Sequence, residues 1–323
     1  MSSILVIGGA GYIGSHMVKL LGLRGCSVTT LDDLSSGHRD AVLCGDFVQG
    51  NFGDRAVLDA VLSRGFDAVM HFASFIQVGE SVQQPDKYYR NNVTYTFTLL
   101  DAMRAHGINK FIFSSTAATF GDPQYTPIDE GHPQHPINPY GRTKLMVEQA
   151  LADYDHAYGF RSVCLRYFNA AGADPEGQLG ERHDPETHLI PLVLQAASGR
   201  RSHISVFGRD YDTPDGTCIR DYIHISDLCS AHWLALQSLM AGGPSQRYNL
   251  GNGSGFSVQE VIDMAERITA RPIAVVNTAR REGDPARLVA DATQARQCLG
   301  WQPRFPDLAT IVQHAWAWEQ KQI

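Results

Sequence analysis

The sequence predicts an α/β protein with a doubly wound parallel sheet and a smaller C-terminal α+β domain, and three observations support this prediction. Short apolar segments alternate with helical segments along the first half of the chain. A glycine-rich turn joins the first apolar segment to the first helix. After residue 168 the alternation becomes irregular. We therefore expect a sheet domain at 1–170 and a second domain at 171–323, with the segment near 247–251 returning to the first domain.

Each element of the first domain is predicted from its own pattern. Residues 4–8 are apolar and rich in branched side chains, as in a buried strand, and a helical pattern then continues to about Leu23. The second strand, 27–31, leads directly into Asp32. The remaining strands and helices of this half are predicted, in alternation, at 46–50, 54–64, 68–73, 86–106, 110–115, 140–157 and 162–168.

The second half is predicted to contain shorter and less regular elements. Residues 173–186 are polar and rich in turn formers, which indicates a long loop of the kind that often carries function. Ser257 precedes an amphipathic helical segment and is expected to cap it. The other predicted elements are a helix from Leu189, strands at 204–208 and 221–225, a helix at 226–240, and strands at 247–251 and 273–277.

The glycine-rich turn GGAGYIG is typical of a dinucleotide site in a Rossmann-type sheet. Gly9, Gly11 and Gly14 match the spacing G-x-G-x-x-G, and Gly8 starts an alternative spacing with the last two. Such a turn presents backbone amides and a helix N-terminus to a pyrophosphate. Asp32, at the end of the next strand, is placed to accept hydrogen bonds from ribose hydroxyls and to repel a phosphorylated ribose. The sequence therefore predicts NAD, in preference to NADP.

The carboxyl ends of the predicted strands bring more side chains to the same edge of the sheet. In parallel α/β sheets the functional residues collect at this edge, in one crevice. The residues in these positions are Asn51, Phe52, Phe72, Ala73, Ser114, Ser115 and Thr116.

Tyr140 and Lys144 lie four residues apart in the helical segment PYGRTKLMVEQAL, so both heads are on one face. An ammonium group near a phenol stabilises the phenolate and lowers the tyrosine pKa. The two residues are therefore candidates for a tuned acid/base pair. Taken alone, the spacing is more typical of an amphipathic helix with a surface lysine. The glycine turn and the hydroxyl cluster upstream favour the catalytic interpretation.

Composition and charge argue against several classes of function. The chain has 323 residues and a net charge of -7, without a long basic run, so we expect no nucleic-acid partner. We expect a cytoplasmic protein without membrane contact, because no apolar run reaches bilayer length and no leader pattern is present. The six scattered cysteines are expected to be free thiols. His183 and His188 are expected to be solvated or substrate-facing, not metal ligands.

Several segments together resemble the extended short-chain dehydrogenase/reductase family, and within it the enzymes that epimerise UDP-sugars. These segments are GGAGYIGSH, HFA followed by VGESV, YYRNNV, FIFSS, NPYGRTKLMVE, LRYFNAAGA, DGTCIRDYIHI, YNLG and RREGDP. The resemblance covers essentially the whole chain and implies reversible 4-epimerisation of UDP-glucose and UDP-galactose, through a transient 4-keto sugar and bound NAD. UDP-N-acetylhexosamines are further candidate substrates. The resemblance also implies a homodimer formed by the helices near 86–106 and 140–157.

The resemblance implies a role for each matching residue. Tyr140 takes the proton of the sugar 4-hydroxyl, Thr116 relays it, and Lys144 binds the nicotinamide ribose and lowers the Tyr140 pKa. The residues implied in NAD binding are Gly8, Gly11, Tyr12, Ile13, Gly14, Asp32, Asn51, Phe52, Phe72, Ala73, Gln77, Asn91, Ser114, Tyr140, Lys144 and Tyr167. Those implied in substrate binding are Thr116, Tyr140, Asn169, His188, Leu189, Arg220, Arg281, Asp284 and Leu288. The two arginines hold the diphosphate, and Asp284 holds the uridine ribose.

Five positions depart from the family pattern. Gln77 stands in place of a cofactor-contacting lysine, Asn51 in place of an aspartate near the adenine, and Phe120 in place of a tyrosine. His188 occupies a place that asparagine often holds beside the UDP phosphate. Leu288 replaces a tyrosine that closes the space beside position 2 of the sugar in strict UDP-glucose enzymes, while smaller residues admit N-acetyl sugars. The preference among UDP-hexoses therefore stays open.

Three other functions fit parts of the pattern. A nucleotide-sugar 4,6-dehydratase shares the fold, the cofactor and the 4-keto intermediate, but needs an acidic pair where this chain has Ala117 and Ala118. An epimerase acting on UDP-pentoses or UDP-uronates stays open. A non-catalytic NAD-sensing or structural protein of this fold usually lacks the tyrosine and the lysine, which are both present here.

Overall fold

The fold is described by a computed structural model for residues 1–281 and 284–322. Its strands are β1 (Ser3–Ile7), β2 (Ser27–Asp32), β3 (Asp46–Gln49), β4 (Ala68–His71), β5 (Lys110–Thr116), β6 (Arg161–Tyr167), β7 (Asn169–Ala171), β8 (Ile204–Phe207), β9 (Ile219–Arg220), β10 (Tyr222–His224), β11 (Gln246–Leu250), β12 (Phe256–Ser257), β13 (Val275–Thr278) and β14 (Arg287–Leu288). Its α-helices are α1 (Tyr12–Leu23), α2 (Arg55–Leu62), α3 (Val78–Gln83), α4 (Pro85–Tyr88), α5 (Tyr95–Ala105), α6 (Pro139–Tyr158), α7 (Leu189–Ser198), α8 (Ile225–Met240), α9 (Val258–Thr269), α10 (Thr293–Leu299) and α11 (Leu308–Glu319).

Seven parallel strands form the central sheet, in the order β11-β6-β5-β4-β1-β2-β3. Ile4 of β1 lies opposite Val28 on one side and Ala68 on the other. Helices cover both faces, so the strands are apolar along most of their length, as all-parallel sheets require. The predicted doubly wound Rossmann-type sheet is confirmed. The strand order reverses between β1 and β4, and a crevice opens there at the carboxyl ends of the strands.

Alternating residues of β1 face two different helix layers. Ile4 and Val6 belong to a core with α1 and α8, whereas Leu5 and Ile7 belong to a core with α2, α5 and α6. This follows from the period of two in a strand, which sends successive side chains to opposite faces. The sheet is therefore held rigidly from both sides, and the turn that follows β1 has a fixed position.

The second half of the chain builds a separate core but also contributes to the first. Helices α7, α9 and α11 pack together against β8, which pairs in parallel with β13. The strand β11 pairs with β6, and α8 packs on the central sheet. The division into 1–170 and 171–323 stays a prediction, because two elements of the second range lie against the first sheet.

Local sequence determines most of the element ends. Ser257 caps α9 and forms a capping box with Glu260, as predicted for this serine. The single helix predicted at 86–106 is wrong in detail, because a π-helical turn at Tyr89–Thr94 separates α4 from α5. Helices α3, α10 and α11 were not predicted. Among the described residues, none of the helices is both long enough and apolar enough to cross a bilayer.

Candidate active site

The glycine turn after β1 allows the backbone to approach a ligand closely. Gly8 has a φ angle of +79°, which glycine adopts without steric cost. A Cβ atom at Gly8 would lie 2.5 Å from the backbone nitrogen of Ala73, and one at Gly14 would lie 2.1 Å from the Gly8 carbonyl oxygen. Side chains at either position would push apart the turn and the neighbouring loop, so glycine is required at both.

The first turn of α1 follows this turn directly. Gly11 is the N-cap of the helix, and the Ser15 amide closes the first helical hydrogen bond onto the Gly11 carbonyl at 2.9 Å. The amides of Tyr12, Ile13 and Gly14 precede that bond, so they are available to an anion. The Tyr12 hydroxyl donates to the Gly172 carbonyl at 2.7 Å. This hydrogen bond connects the N-terminus of α1 to the second half of the chain.

Asp32 ends β2 and holds the glycine turn in place. Its Oδ2 accepts from the Ala10 amide and its Oδ1 from the Leu34 amide, both at 2.9 Å. Burial raises the pKa of the carboxyl group, and these two hydrogen bonds oppose the rise. Each carboxylate oxygen can accept more than one hydrogen bond. Asp32 can therefore hold the turn and also accept from the hydroxyls of a ribose.

As predicted, Asn51 and Phe52 follow β3, but their side chains already contact other groups of the protein. Asn51 Nδ2 donates to Asp33 Oδ2 at 2.9 Å, and Asn51 Oδ1 accepts from the Gly53 amide at 2.7 Å. Phe52 is buried, and its ring packs edge-on against His71 at 5.1 Å between centroids. Because the ring is buried, we expect Phe52 to contact a cofactor only through its backbone.

The loop after β4 forms the floor of the crevice beside the glycine turn. The Phe72 amide donates to the Ile7 carbonyl at 2.8 Å, and the Phe72 ring packs on His232 at 5.1 Å between centroids. Ala73 is the residue that lies against Gly8. The end of β1 and the end of β4 are therefore in contact, as the predicted crevice requires.

Gln77 and Asn91 lie on the helical layer beside this loop. Gln77 precedes α3, and its carbonyl accepts from the Tyr88 hydroxyl at 2.8 Å. Asn91 lies in the π-helical turn and donates through Nδ2 to Asn92 Oδ1 at 2.9 Å. Asn92 in turn donates to Thr143 Oγ1 on α6 at 3.2 Å. The π-helical turn thus connects the predicted cofactor side to the helix that carries Tyr140.

Helix α6 has well-defined ends, which set the positions of its side chains. Asn138 caps its N-terminus by accepting from the Gly141 amide at 2.8 Å, and Pro139 occupies the first helical position. Gly159 ends the helix with a φ angle of +64°. Tyr140 therefore lies in the first turn of a rigid helix.

Tyr140 and Lys144 are both buried on the same face of α6, so the interpretation as a surface lysine is wrong. Lys144 Nζ donates to Ser74 Oγ at 2.7 Å and to the Ser114 carbonyl at 2.8 Å. Ser74 follows β4 and Ser114 lies near the end of β5, so Lys144 joins two neighbouring strand ends. The ammonium group is held in one position, which positions it for a ribose or a phenolate.

The pKa values of the two residues differ from the sequence-based expectation. Burial raises the pKa of Tyr140 to about 12, and the neighbouring Thr116 hydroxyl opposes part of this rise. Burial lowers the pKa of Lys144 to about 7, while the charge of Glu148 acts in the opposite direction. The prediction that Lys144 leaves Tyr140 with a lowered pKa is therefore wrong for the chain by itself. The cost of removing the Tyr140 phenolate from water exceeds the attraction to the Lys144 ammonium that the four-residue spacing suggests.

Three hydroxyl groups meet near the end of β5. Ser114 Oγ and the Tyr167 hydroxyl form a short hydrogen bond, and both groups are buried. Thr116 is buried as well, and its Oγ1 accepts from the Ala118 amide at 3.1 Å. Because a hydroxyl can donate while it accepts, Thr116 retains a proton for a further partner. Thr116 and Tyr140 together place two exchangeable protons at one point of the crevice.

The substrate half contains a partly buried arginine with a carboxylate partner. Arg220 Nη2 donates to Asp284 Oδ1 at 2.9 Å, and Arg220 Nη1 donates to the Ile219 and Pro285 carbonyls at 2.9 Å. A guanidinium group has five N–H donors. Within the residues described, these three bonds leave two donors of Arg220 for another acceptor. Leu288 of β14 is paired with Arg220 of β9, so both residues lie on one small sheet.

The other predicted substrate residues surround this small sheet. The Arg281 guanidinium lies 3.8 Å from the centroid of the Phe207 ring, a cation–π contact. Asn169 donates through Nδ2 to the Asp221 carbonyl at 3.0 Å. The side chain of Leu288 packs on the small apolar cluster that contains Phe120. Arg281 thus supplies a cation and Leu288 an apolar wall.

His188 and Leu189 begin α7, with His188 as the N-cap residue. Nδ1 of His188 lies 2.8 Å from Glu181 Oε1 and 3.0 Å from Glu186 Oε1. Nδ1 of His183 lies 3.1 Å from the same Glu181 oxygen. Both rings are partly buried against the two carboxylates, so they are not simply solvated, and a substrate-facing role stays a prediction.

Sequence reasoning missed three residues that support this site. Ser74, the partner of Lys144, follows Ala73 at a strand end, and that position alone could have identified it. Glu148 lies one turn after Lys144 in α6, which is a signal of the same kind. Glu181 precedes the histidines in a repeated Glu-x-His pattern, at 181–183 and again at 186–188. Each missed residue is polar and lies within a few positions of a residue that was already a candidate.

Comparison with known proteins decides the family. The model of the NAD dependent epimerase/dehydratase family matches residues 4–251. The chain belongs to that family. The resemblance to extended short-chain dehydrogenases/reductases is thereby confirmed, and the family is NAD-dependent.

Relatives of this family are similar to the chain over nearly its full length. A UDP-glucose 4-epimerase of Halalkalibacterium halodurans is 51% identical over 320 residues, which cover 99% of this chain and 96% of that protein. The crystal structure of UDP-glucose 4-epimerase from Brucella ovis in complex with NAD has a TM-score of 0.96 at 52% identity and covers 98% of both chains. A Stenotrophomonas maltophila UDP-glucose-4-epimerase, with bound NAD and formylated UDP-arabinopyranose, has a TM-score of 0.96 at 38% identity and covers 100% of this chain and 99% of that chain.

Proposed function

We propose that this protein catalyses the reversible 4-epimerisation of UDP-glucose and UDP-galactose with bound NAD. The observation that carries the proposal is the set of Tyr140, Lys144 and Thr116 on the crevice that begins at the glycine turn. The relatives named above share the fold and between 38% and 52% of the residues, and their names state this activity. Sequence similarity and site chemistry therefore support the same reaction.

The residues at the crevice fit NAD. Glycine at positions 8 and 14 keeps the turn tight, because a Cβ at either would clash with neighbouring backbone, and the start of α1 offers amides to a pyrophosphate. Asp32 has lone pairs for the ribose hydroxyls, and its negative charge disfavours a 2′-phosphate. When bound, NAD accepts a hydride from carbon 4 of the sugar and returns it, and its nicotinamide ring adds a positive charge. Lys144, fixed by Ser74, is placed for the nicotinamide ribose.

The proton of the sugar 4-hydroxyl goes to Tyr140 in this proposal. A phenolate is the base that the step needs, yet the buried phenol has a pKa of about 12 in the chain itself. Ionisation of Tyr140 thus depends on positive charge brought to the site together with that of Lys144. Thr116, beside Tyr140, passes the proton between the phenol and the sugar oxygen. For inversion, the hydride would return to the other face of carbon 4, and Tyr140, through Thr116, would give the proton back to the sugar oxygen.

Inversion requires a firm hold on UDP and a loose hold on the hexose, since the ketone must present its other face. Arg220, with two donors left, and Arg281 are the proposed diphosphate ligands. Asp284 is proposed to accept from the uridine ribose with the oxygen that Arg220 does not use. Asn169 and the start of α7, with His188 and Leu189, complete the binding side. These groups lie away from Tyr140 in sequence and anchor the part of the substrate that does not react.

Other substrates of the same chemistry remain candidates. Leu288 occupies less space than tyrosine, which favours some acceptance of UDP-N-acetylhexosamines. The Stenotrophomonas relative was crystallised with a UDP-pentose derivative, so UDP-pentoses are also candidates. A 4,6-dehydratase reaction is disfavoured because Ala117 and Ala118 carry no acid or base.

We also propose a cytoplasmic homodimer. The six cysteines are free thiols, which suits a reducing compartment. The proposed dimer interface uses the exposed sides of α5 and α6, where Met146 presents an apolar side chain to solvent. A monomeric mass in solution, from light scattering at micromolar concentration, would contradict the dimer without affecting the proposed reaction.

The reaction is tested by incubating the protein separately with UDP-galactose, UDP-N-acetylgalactosamine and UDP-arabinose, without added NAD, and separating the products. We expect conversion of UDP-galactose to UDP-glucose by cofactor that co-purifies. Tyr140→Phe should lose activity by about 10²- to 10⁴-fold. The exposed Tyr125→Phe is the matched control and should keep full activity. A keto-deoxy product, or a fully active Tyr140→Phe enzyme, would overturn the proposal.

A further inference from the structure

The loop between β7 and α7 brings four metal-ligating side chains to one point. Glu181, His183, Glu186 and His188 each direct one ligand atom into a group whose members lie within 4.8 Å of one another. His188 Nδ1 lies 2.8 Å from Glu181 Oε1 and 3.0 Å from Glu186 Oε1. His183 Nδ1 lies 3.1 Å from Glu181 Oε1 and 3.6 Å from Glu186 Oε2. Each imidazole Nδ1 thus lies within 3.6 Å of both carboxylates, with His183 and His188 facing different oxygens of Glu186.

Two adjacent buried carboxylates are unfavourable unless positive charge neutralises them, and protonated imidazoles or a bound cation can supply that charge. The side chains of Glu181 and Glu186 are only 6% and 5% exposed, so their carboxylates are nearly removed from water. Two carboxylates held together repel each other, and each carries a desolvation cost. A dication between them neutralises both and takes a lone pair from each neutral imidazole.

The direction of His183 favours a shared centre over ordinary hydrogen bonds. Its Nδ1 is buried, and in the part of the chain that the structure describes it makes no hydrogen bond of acceptable geometry. Glu181 Oε1 is nevertheless only 3.1 Å away. His183 Nδ1 is therefore close to Glu181 Oε1 without forming a hydrogen bond to it. An ion bound between the four side chains would explain both the short distance and the missing hydrogen bond.

We propose that Glu181, His183, Glu186 and His188 bind one divalent transition-metal ion of the zinc type. Tetrahedral zinc with N and O ligands at about 2.0–2.2 Å places neighbouring ligand atoms about 3.4 Å apart. The four measured separations, from 2.8 to 3.6 Å, lie around this value and need only small side-chain movements. Two imidazoles and two carboxylates suit zinc, cobalt or iron(II) better than magnesium or calcium, which prefer oxygen ligands alone.

The position of the cluster gives the ion a structural role. Arg182, inside the cluster loop, pairs with Asp40 beside the NAD half at 2.6 Å. Lys19 of α1 pairs with Asp174, earlier in the same loop, at 2.8 Å. The bound ion would fix this loop between α1 and α7. Nδ1 coordination also leaves the proton of His188 on Nε2, so the ring becomes an N–H donor; its use on a diphosphate rests on the proposed function.

The test uses the full chain, freed of metal with a chelator and then desalted. It is titrated with Zn²⁺ or Co²⁺, and bound metal is measured by mass spectrometry after removal of free ion. We expect one equivalent bound at micromolar metal, and with Co²⁺ the intense visible absorption of a tetrahedral site. Less than a tenth of an equivalent, or only the weak spectrum of an octahedral ion, would overturn the proposal and show that the imidazoles neutralise the carboxylates as protonated rings.

Variants locate the ion and separate this proposal from the enzymatic one. Glu181→Gln and His183→Gln should each lower metal retention at least tenfold, whereas the exposed His156→Gln should retain one equivalent. Zinc should raise the melting temperature of the parent chain but leave that of His183→Gln unchanged. An equal increase in both proteins would contradict the site. Epimerase activity is measured separately, so its absence has no bearing on the metal count.

Discussion

Glu148 and Arg166 form a buried ion pair directly behind the proposed catalytic residues. Arg166 Nε donates to Glu148 Oε1 at 2.9 Å and Arg166 Nη2 donates to Glu148 Oε2 at 2.5 Å, with both side chains at most 2% exposed. Ser115 of β5 donates to the same carboxylate at 2.5 Å. Glu148 lies one helical turn beyond Lys144, so α6, β5 and β6 are joined beneath the site.

Removing the charge of Glu148 should be strongly destabilising. Glu148→Gln leaves the Arg166 guanidinium buried without an anion, which typically costs about 3–5 kcal/mol of unfolding free energy. Urea denaturation followed by circular dichroism measures the change. The exposed pair of Arg55 and Asp59 provides the control, and Asp59→Asn should have little effect. Equal stability losses in the two variants would show that the buried pair has no special role.

The pH dependence of activity should change when Lys144 is replaced. Burial lowers the Lys144 pKa to about 7, so about half of the lysines carry the charge at neutral pH. That charge favours the Tyr140 phenolate. Lys144→Met removes it, so the Tyr140 pKa should rise and the ascending limb of the kcat profile should move to higher pH by about one unit or more.

Lys110→Met is the control for this shift, because Lys110 lies at the opposite end of β5 from the crevice. Its pH profile should match that of the parent protein. The pH of the ascending limb reports the electrostatic role of Lys144, whereas the maximum rate also falls if less of the protein is folded. An unmoved profile in Lys144→Met would refute this role.

Arg220 should contribute to the binding of the nucleotide and not to the chemical step. Arg220→Lys keeps the charge but loses the planar donors, and hydrogen bonds to charged groups contribute about 1.5–3 kcal/mol each. We expect UDP affinity to fall about 10- to 100-fold by calorimetry. Arg280→Lys, whose parent arginine pairs with Asp210 at the surface, should bind UDP normally. An unchanged UDP affinity in Arg220→Lys would show that Arg220 does not bind the nucleotide.

Leu288 should influence the choice between hexose and N-acetylhexosamine substrates. Leu288→Tyr fills the space beside the sugar, so we expect the ratio of kcat/KM for UDP-N-acetylgalactosamine to that for UDP-galactose to fall about tenfold or more. Leu288→Met, which conserves volume, should leave the ratio unchanged. The hypothesis fails if the tyrosine variant retains the parent ratio.

Local patterns in the sequence determined the parts of this protein that depend on neighbours along the chain. The spacing of Gly8, Gly11 and Gly14 follows from sterics within one turn, and Gly14 lies against Gly8 as that spacing requires. The Ser257 cap of α9 is likewise a contact over three residues. Alternating apolar strands and helices predicted a parallel sheet wound on both faces, whereas the order of its strands came from the structure.

Only the tertiary structure decided the contacts between distant segments. Ser74 meets Lys144 across 70 positions of the chain, and Arg220 meets Asp284 across 64 positions. No local pattern specifies such pairs, because they depend on how helices and strands pack. Burial likewise decided the pKa of Tyr140: spacing placed an ammonium one turn away, but removal from water raised the pKa. The sequence by itself determined which groups are present, and packing decided their partners and their charge.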